Sequence, residues 1–432
     1  MPAPRVLAWP YAALATAADI AARLPLPGES KVVRSLRARH GLLARYETWA
    51  RTGRDRARPL AWFHAPSVGE GLQARPVIEL LRARRPDVQV AYTFFSPSAE
   101  RFAASVGADF TDYLPFDRAV NARRALEALR PDALVFAKLD LWPALVGAAR
   151  ARGTRLGMIS ATLSEGSGRR GRAASAFLHD AYASLDAVGA IDPADAARLA
   201  ALGVPHDRVS VTGDTRYDQV AARAAAACEG RSPLLASLAS ERPTLVAGST
   251  WPADEAVLYD AWIALRRELP DARLIIAPHE PTAAHLDPVR KWAREAALSL
   301  RALGEPGEPL GDADVILVDR TGVLGDLYAL ADVAYVGGGF HAAGLHSVLE
   351  PAAFGAPVLF GPRHANSRDA GLLIECRGGV AVRDAGSLTD ALRIVLTEPD
   401  TRRSAGDAAK TMVTQGVGAA ERSLALILRL LD

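Results

Sequence analysis

The chain has 432 residues, half of them hydrophobic and 23% charged, with a net charge of only +2. That length exceeds one ordinary core and predicts two domains, and the composition excludes a disordered chain. Cys228 and Cys376 lie far apart with no C-x-x-C pattern, which fits a reduced compartment and excludes a disulfide scaffold.

At the N-terminus, VLAWPYAALATAADIAARL is interrupted by Pro10 and Asp19 and falls short of the ~20 apolar residues a spanning helix needs. It lacks a basic leader region and a convincing cleavage site, so it does not read as a signal peptide. Residues 31–58 then carry nine Lys and Arg against Glu47 and Asp55, a net +7 that leaves −5 for the rest. Tyr46, Trp49 and several leucines are interleaved. An apolar helix followed by a basic, aromatic one predicts a segment, 1–58, lying on an anionic membrane surface. A solvated, arginine-rich helix is the plainer alternative.

From residue 60 onward, apolar runs alternate with helical patterns. Strands are predicted at 60–65, 88–96, 133–137, 155–160, 187–191 and 209–213, and in a second set at 244–249, 273–278, 314–319, 333–338 and 357–361. Such βα alternation with near-continuous apolar strands predicts parallel, doubly wound sheets. The expected fold is α/β with two Rossmann-like domains, 59–225 and 226–432, facing a central cleft. Ligands bind beyond the carboxyl ends of such strands, so the following loops carry the candidates.

In the first set, FHAPSVGEG presents Glu70 between two glycines, and KLDLWP presents Lys138 and Asp140 on one side of the chain. The latter reads either as a charged pair at the cleft edge or as a surface ion pair worth under ~1 kcal/mol. In the second set, GSTWPADE offers Ser249 and Thr250 ahead of a helix with Pro252 in its first turn. The loop GGGFHAAGLHSVLE (337–350) offers Gly338 and Gly339 for close backbone approach to a ligand, and Ser347 as a helix cap. Glu350 follows about one turn into that helix, where a carboxylate can accept from vicinal ribose hydroxyls. Ser347 and Glu350 also fit a plain capping box. No H-E-x-x-H occurs, and His279-Glu280-Pro281 with His285 has the wrong spacing, so neither a metal nor a cofactor is expected.

Together and in order, TFFSPSAE, YLPFD, VFAKLDLW, GDTRYDQV, AGSTWPADE, IIAPHEP and GGGFHAAGLHSVLEPAAFGAPVLFGP resemble the 3-deoxy-D-manno-octulosonic acid (Kdo) transferases. The resemblance runs from the hydrophobic N-terminus to about residue 380. It implies a metal-independent, inverting GT-B glycosyltransferase that moves Kdo from CMP-Kdo to a lipid A precursor. It further implies a peripheral location on the cytoplasmic face of the inner membrane and no nucleic acid partner. By the same resemblance Glu70 is the general base, Glu350 holds the ribose, and Ser249, Thr250 and His279 line the CMP side. Asp140 stands where the family usually has glutamate, and Ser347 where it commonly has asparagine. Two other readings fit parts of the sequence: a sugar-nucleotide 2-epimerase of the same architecture, and a catalytically weakened, membrane-bound binding protein. The basic N-terminal segment counts against the first and the intact Glu70 against the second.

Overall fold

The computed structural model describes residues 5–229, 232–304, 310–342 and 344–432. The first four residues, two residues of the predicted inter-domain stretch, residues 305–309 and Ala343 of the second glycine-rich loop lie outside the described residues. The chain forms two units, one of residues 1–219 with 418–432 and the other of 220–417.

In the first unit, strands β1 (Leu60–His64), β2 (Gln89–Phe94), β3 (Phe110–Tyr113), β4 (Ala133–Ala137), β5 (Arg155–Ala161), β6 (Ala187–Ala190) and β7 (Val209–Val211) form one sheet in the order β3-β2-β1-β4-β5-β6-β7. All its pairings are parallel. Every residue of β1, β2 and β4 is buried, which is why they read as unbroken apolar runs: helices cover both faces.

In the second unit, β8 (Thr244–Thr250), β9 (Arg273–Pro278), β10 (Leu300–Ala302), β11 (Val315–Leu317), β12 (Val333–Val336), β13 (Val358–Phe360) and β14 (Gly379–Ala381) pair in parallel as β10-β11-β9-β8-β12-β13-β14. The pleat sorts its strand residues between two cores. Leu245, Leu274, Ile276 and Tyr335 face one side, and Val246, Ile275, Ile316 and Ala334 the other.

Three features differ from the sequence expectation. Strands β3, β10 and β14 were not predicted, and each is a short edge strand whose residues need not be apolar on both faces. The C-terminal helix, Ala419–Leu431, belongs to the first unit although the expected second domain ran to 432. Its buried stripe of Ala420, Leu424, Ile427 and Leu430 joins the first unit's core, with Leu430 lying close over Gly157 of β5.

The third difference concerns the basic segment. Helices α1 (Arg5–Ala21), α2 (Lys31–Ala38) and α3 (Leu42–Thr52) precede β1, and no described helix is long and apolar enough to cross a membrane. Tyr11 donates to Asp117 at 2.7 Å, and Asp19 accepts from Arg118 (2.5 Å) and Asn121 (2.8 Å), tying α1 to the first unit. Much of the expected basic face is spent in the same way. Arg39 is buried, donates to the Leu114 and Phe95 carbonyls at 2.9 and 3.0 Å, and lies over the rings of Phe95, Tyr113 and Phe116. Arg45 forks onto Asp112, while Arg54, Arg56 and Arg58 donate to backbone carbonyls of the unit. Lys31, Arg34, Arg37 and Arg51 stay exposed.

Candidate active site

The chain leaves β1 through Ala65-Pro66-Ser67 and enters α4 (Val68–Arg84) at once. Glu70 therefore sits in the first turn of a helix and not in an open loop. Its position suits a carboxylate, because the first turn exposes unpaired backbone N–H groups. The side chain is 14% exposed; it accepts a short hydrogen bond from the Ser67 hydroxyl and an ion-paired one from Lys138 Nζ at 3.3 Å. Burial pushes its carboxyl up, but Ser67 and Lys138 outweigh burial and hold it below the ordinary glutamate value. Glu70 is thus an anion at neutral pH.

The flanking glycines do different things. A side chain at Gly71 would overlap the ring of Phe102 and press on the Tyr92 hydroxyl at 2.7 Å, so this glycine lets α4 lie against β2. Gly69 meets nothing closer than the Ser67 hydroxyl at 3.8 Å and leaves the approach to the carboxylate open.

Lys138 follows β4 with φ of +70°, the left-handed region that a lysine seldom adopts. Its amide still bonds to the Ile159 carbonyl at 2.9 Å, so the bend is held by the sheet. Lys138 and Asp140 do not pair with each other as the sequence suggested. Lys138 turns to Glu70, and Asp140 accepts from Arg169 on the loop after β5. Burial raises the Asp140 carboxyl, and the nearby Glu70 charge adds to that, against the pull of Arg169 and Lys138. Two neighbouring carboxylates are pushed in opposite directions, the pattern expected where one must be ionised for proton transfer. Ser67 and Arg169 were not singled out from the sequence. The S-x-x-E spacing of Ser67 and Glu70 and the S-G-R-R-G-R run (167–172) were the available signals.

In the second unit, Asp254 is the organiser that sequence reading missed. It is fully buried in the first turn of helix Pro252–Glu268. Its carboxylate accepts from the amides of Trp251 (3.0 Å), Gly338 (2.8 Å) and Phe340 (3.0 Å) and from the Tyr335 hydroxyl (3.3 Å). The glycine-rich loop after β12 is thereby clamped to the loop after β8. This changes the expected roles of several residues. The Gly338 amide is taken by Asp254 and is not free for a ligand, and Gly339 is glycine because it lies against the backbone of Gly361. Thr250 is buried with its hydroxyl donated to Glu255 at 2.9 Å, so it cannot contact a nucleotide through that group. Ser347 is exposed and caps nothing: the short helix Leu349–Phe354 starts after Val348 without a side-chain cap.

Ser249, half-buried with φ of +55°, stands at the register shift where β8 ends. His279 stacks on Trp251 at 4.6 Å and on His346 at 4.4 Å, and His341 also stacks on Trp251 at 4.3 Å. Trp251 Nε1 donates to His346 Nε2 at 3.0 Å; burial pushes His346 down to about 4, so it is neutral near pH 7. Glu350 pairs with Arg223 at 3.7 Å, and burial raises its carboxyl despite that guanidinium. Among the described residues no three His, Cys, Asp or Glu side chains come together as a metal site.

Two parallel Rossmann-like units, each with one seven-stranded sheet, give the GT-B architecture. Solved structures agree on the fold. UDP-GlcNAc 2-epimerase from Neisseria meningitidis bound to UDP-GlcNAc superposes with a TM-score of 0.62 at 15% identity, covering 87% of this chain and 99% of that one. A glycosyltransferase from Rickettsia africae gives 0.57 at 12% identity, with 87% and 98% covered. At such identities the likeness is one of fold alone.

Sequence relatives narrow the class. The family model described as 3-deoxy-D-manno-octulosonic-acid transferase matches residues 34–219. The 3-deoxy-D-manno-octulosonic acid transferase of Bordetella pertussis is 32% identical over 394 residues, 87% of this chain and 90% of that protein. The Haemophilus influenzae enzyme of the same name is 28% identical over 91% of this chain and 92% of its own. The chain belongs to the 3-deoxy-D-manno-octulosonic acid transferase family and is a glycosyltransferase.

Proposed function

We propose that this enzyme transfers Kdo from CMP-Kdo to a hydroxyl of a lipid A precursor, with inversion at the anomeric carbon and without a metal ion. The observation that carries the reading is the Glu70 carboxylate, held ionised by Ser67 and Lys138 where β1 turns into α4. The acceptor oxygen attacks the anomeric carbon as Glu70 takes its proton, and the bond to the CMP phosphate breaks, releasing CMP. Asp140 holds Arg169 on the acceptor side. The second unit holds the donor, with Glu350 on the ribose hydroxyls and Ser249 and His279 along the CMP. The first unit receives the acceptor. The helices before β1 rest on the anionic cytoplasmic face of the inner membrane, and the exposed Trp9, Leu14, Ile20 and Leu24 with Lys31, Arg34 and Arg37 support that reading.

Incubation with CMP-Kdo and a lipid A precursor should release CMP and yield a heavier lipid. Glu70→Gln should fold normally and lose roughly 10²–10⁴ of that rate, the usual cost of removing a general base. A variant keeping more than about a tenth of wild-type turnover would remove Glu70 from the mechanism.

A further inference from the structure

An apolar groove of about 460 Å³ runs along the first unit beside α2, walled by Val32 and Leu36 and floored by Phe95, Pro97 and Phe116, with Lys31 at its rim. Val32 is 68% exposed, a large apolar side chain left on the surface. The floor is rigid: Arg39 lies beneath Phe95 at 4.2 Å and Phe116 at 4.9 Å, and its side chain ties down the Phe95 and Leu114 carbonyls. A groove held open by a buried guanidinium is a prepared surface and not a gap left by loose packing.

The same floor is continuous with the candidate catalytic loops. The amides of Phe95 and Ser96 both donate to the Pro66 carbonyl, at 3.0 and 2.9 Å, one residue before the Ser67 that bonds Glu70. Phe95 stacks at 4.9 Å on Trp142, two residues beyond Asp140. The groove's floor thus touches both loops that carry the two carboxylates. Its open side carries cations: Lys31 has no ion-pair partner among the described residues, and Arg34 is exposed one turn further along α2. Apolar wall, cationic rim and adjoining base together match a molecule with an anionic head and a hydrocarbon tail.

We infer that this groove takes one acyl chain of the lipid acceptor, so that the enzyme grips the tail of its substrate as well as presenting a base to its head. The inference rests on the proposed transfer to a lipid A precursor and adds to it a subsite for hydrocarbon. It makes Val32 and Leu36 specificity-determining residues. A bilayer surface resting over the groove, or a second copy of this chain, would use the same apolar wall but would not discriminate between acceptors.

The test compares two acceptors with the full-length enzyme: an acylated lipid A precursor and its fully deacylated, still phosphorylated sugar. CMP release is the readout. Wild type should favour the acylated acceptor in kcat/KM. Val32→Trp, which fills the groove from an exposed position, should lower kcat/KM for the acylated acceptor on the order of tenfold, the effect of about two methylenes left in water. It should leave the deacylated acceptor unchanged and should not weaken flotation with anionic vesicles. Equal loss with both acceptors, loss confined to vesicle flotation, or a change of oligomeric state as the origin of the effect would overturn the inference while leaving the transferase reading intact. A wild-type chain that released no CMP with either acceptor would overturn that reading and the inference with it. Independently of any variant, an acceptor carrying a photoreactive group in one acyl chain should label residues within 31–36 or 95–97, and labelling confined elsewhere would likewise overturn it.

Discussion

At the scale of single residues, the site is a set of paired charges in which each partner adjusts the other. In its proposed role as base Glu70 must be ionised, and Ser67 and Lys138 together hold its carboxyl low. Lys138→Met removes a stabilising cation, so the Glu70 carboxyl should rise. If the ionised form is the base, as proposed, kcat/KM should fall as pH drops through its pKa. The acid limb of the pH profile should therefore move to higher pH in the variant, with smaller change near pH 8, and an unmoved limb would separate Lys138 from Glu70. Asp140 and Arg169 form one unit. Asp140→Ala and Arg169→Met should each cut transfer strongly, and the double variant should lose little more than either single one. Additive losses would show that the two act separately. Glutamate at 140 would push a methylene against a guanidinium already in close contact, so Asp140→Glu should lower the rate modestly.

At the scale of elements, buried charges hold the functional loops where sheets deliver them. Arg39 joins α2 to the ends of β2 and β3, and Asp254 joins the loops after β8 and β12. Arg39→Met should keep the volume but leave two carbonyls and three ring faces without their cation. The cost should be on the order of 3 kcal/mol, read as a fall of several degrees in the first unit's melting temperature. A variant as stable as wild type would return Arg39 to the surface-charge role suggested by composition.

At the scale of the whole molecule, the charge asymmetry divides into a structural and a free part. Of the nine cations in 31–58, Lys31, Arg34, Arg37, Arg45, Arg51 and Arg56 are exposed, but Arg45 is held by Asp112 and Arg56 by the Ala128 carbonyl. Replacing Lys31, Arg34 and Arg37 with Gln should weaken binding to anionic vesicles by roughly 1 kcal/mol per charge, an effect that fades with salt. The apolar side chains of α1 should leave a residual, salt-insensitive binding. Vesicle flotation at low and high salt reads both parts, and binding that ignored the substitutions would return these residues to a solvated helix.

How much of this was legible in the chain follows from what each signal depends on. Central strands such as β1, β4 and β9 are buried on both faces, so their apolar runs identify them without any knowledge of neighbours. Edge strands β3, β10 and β14 are strands because a neighbour pairs with them, and a short run of residues does not announce its partner. Glu70 and Glu350 stood out because motif spacing is local. Lys138 stood out too, but beside Asp140; its pairing with Glu70, and those of Asp140 with Arg169 and Glu350 with Arg223, did not, because these partners lie 68, 29 and 127 residues apart along the chain. Composition likewise counts arginines without distinguishing Arg39, buried under three rings, from Arg34, open to solvent. Pattern along the chain was enough for the fold class and the family, and it singled out the carboxylates as candidates. Folding chose which charges meet, because Coulombic and hydrogen-bond partners are set by distance in space and not by order in sequence.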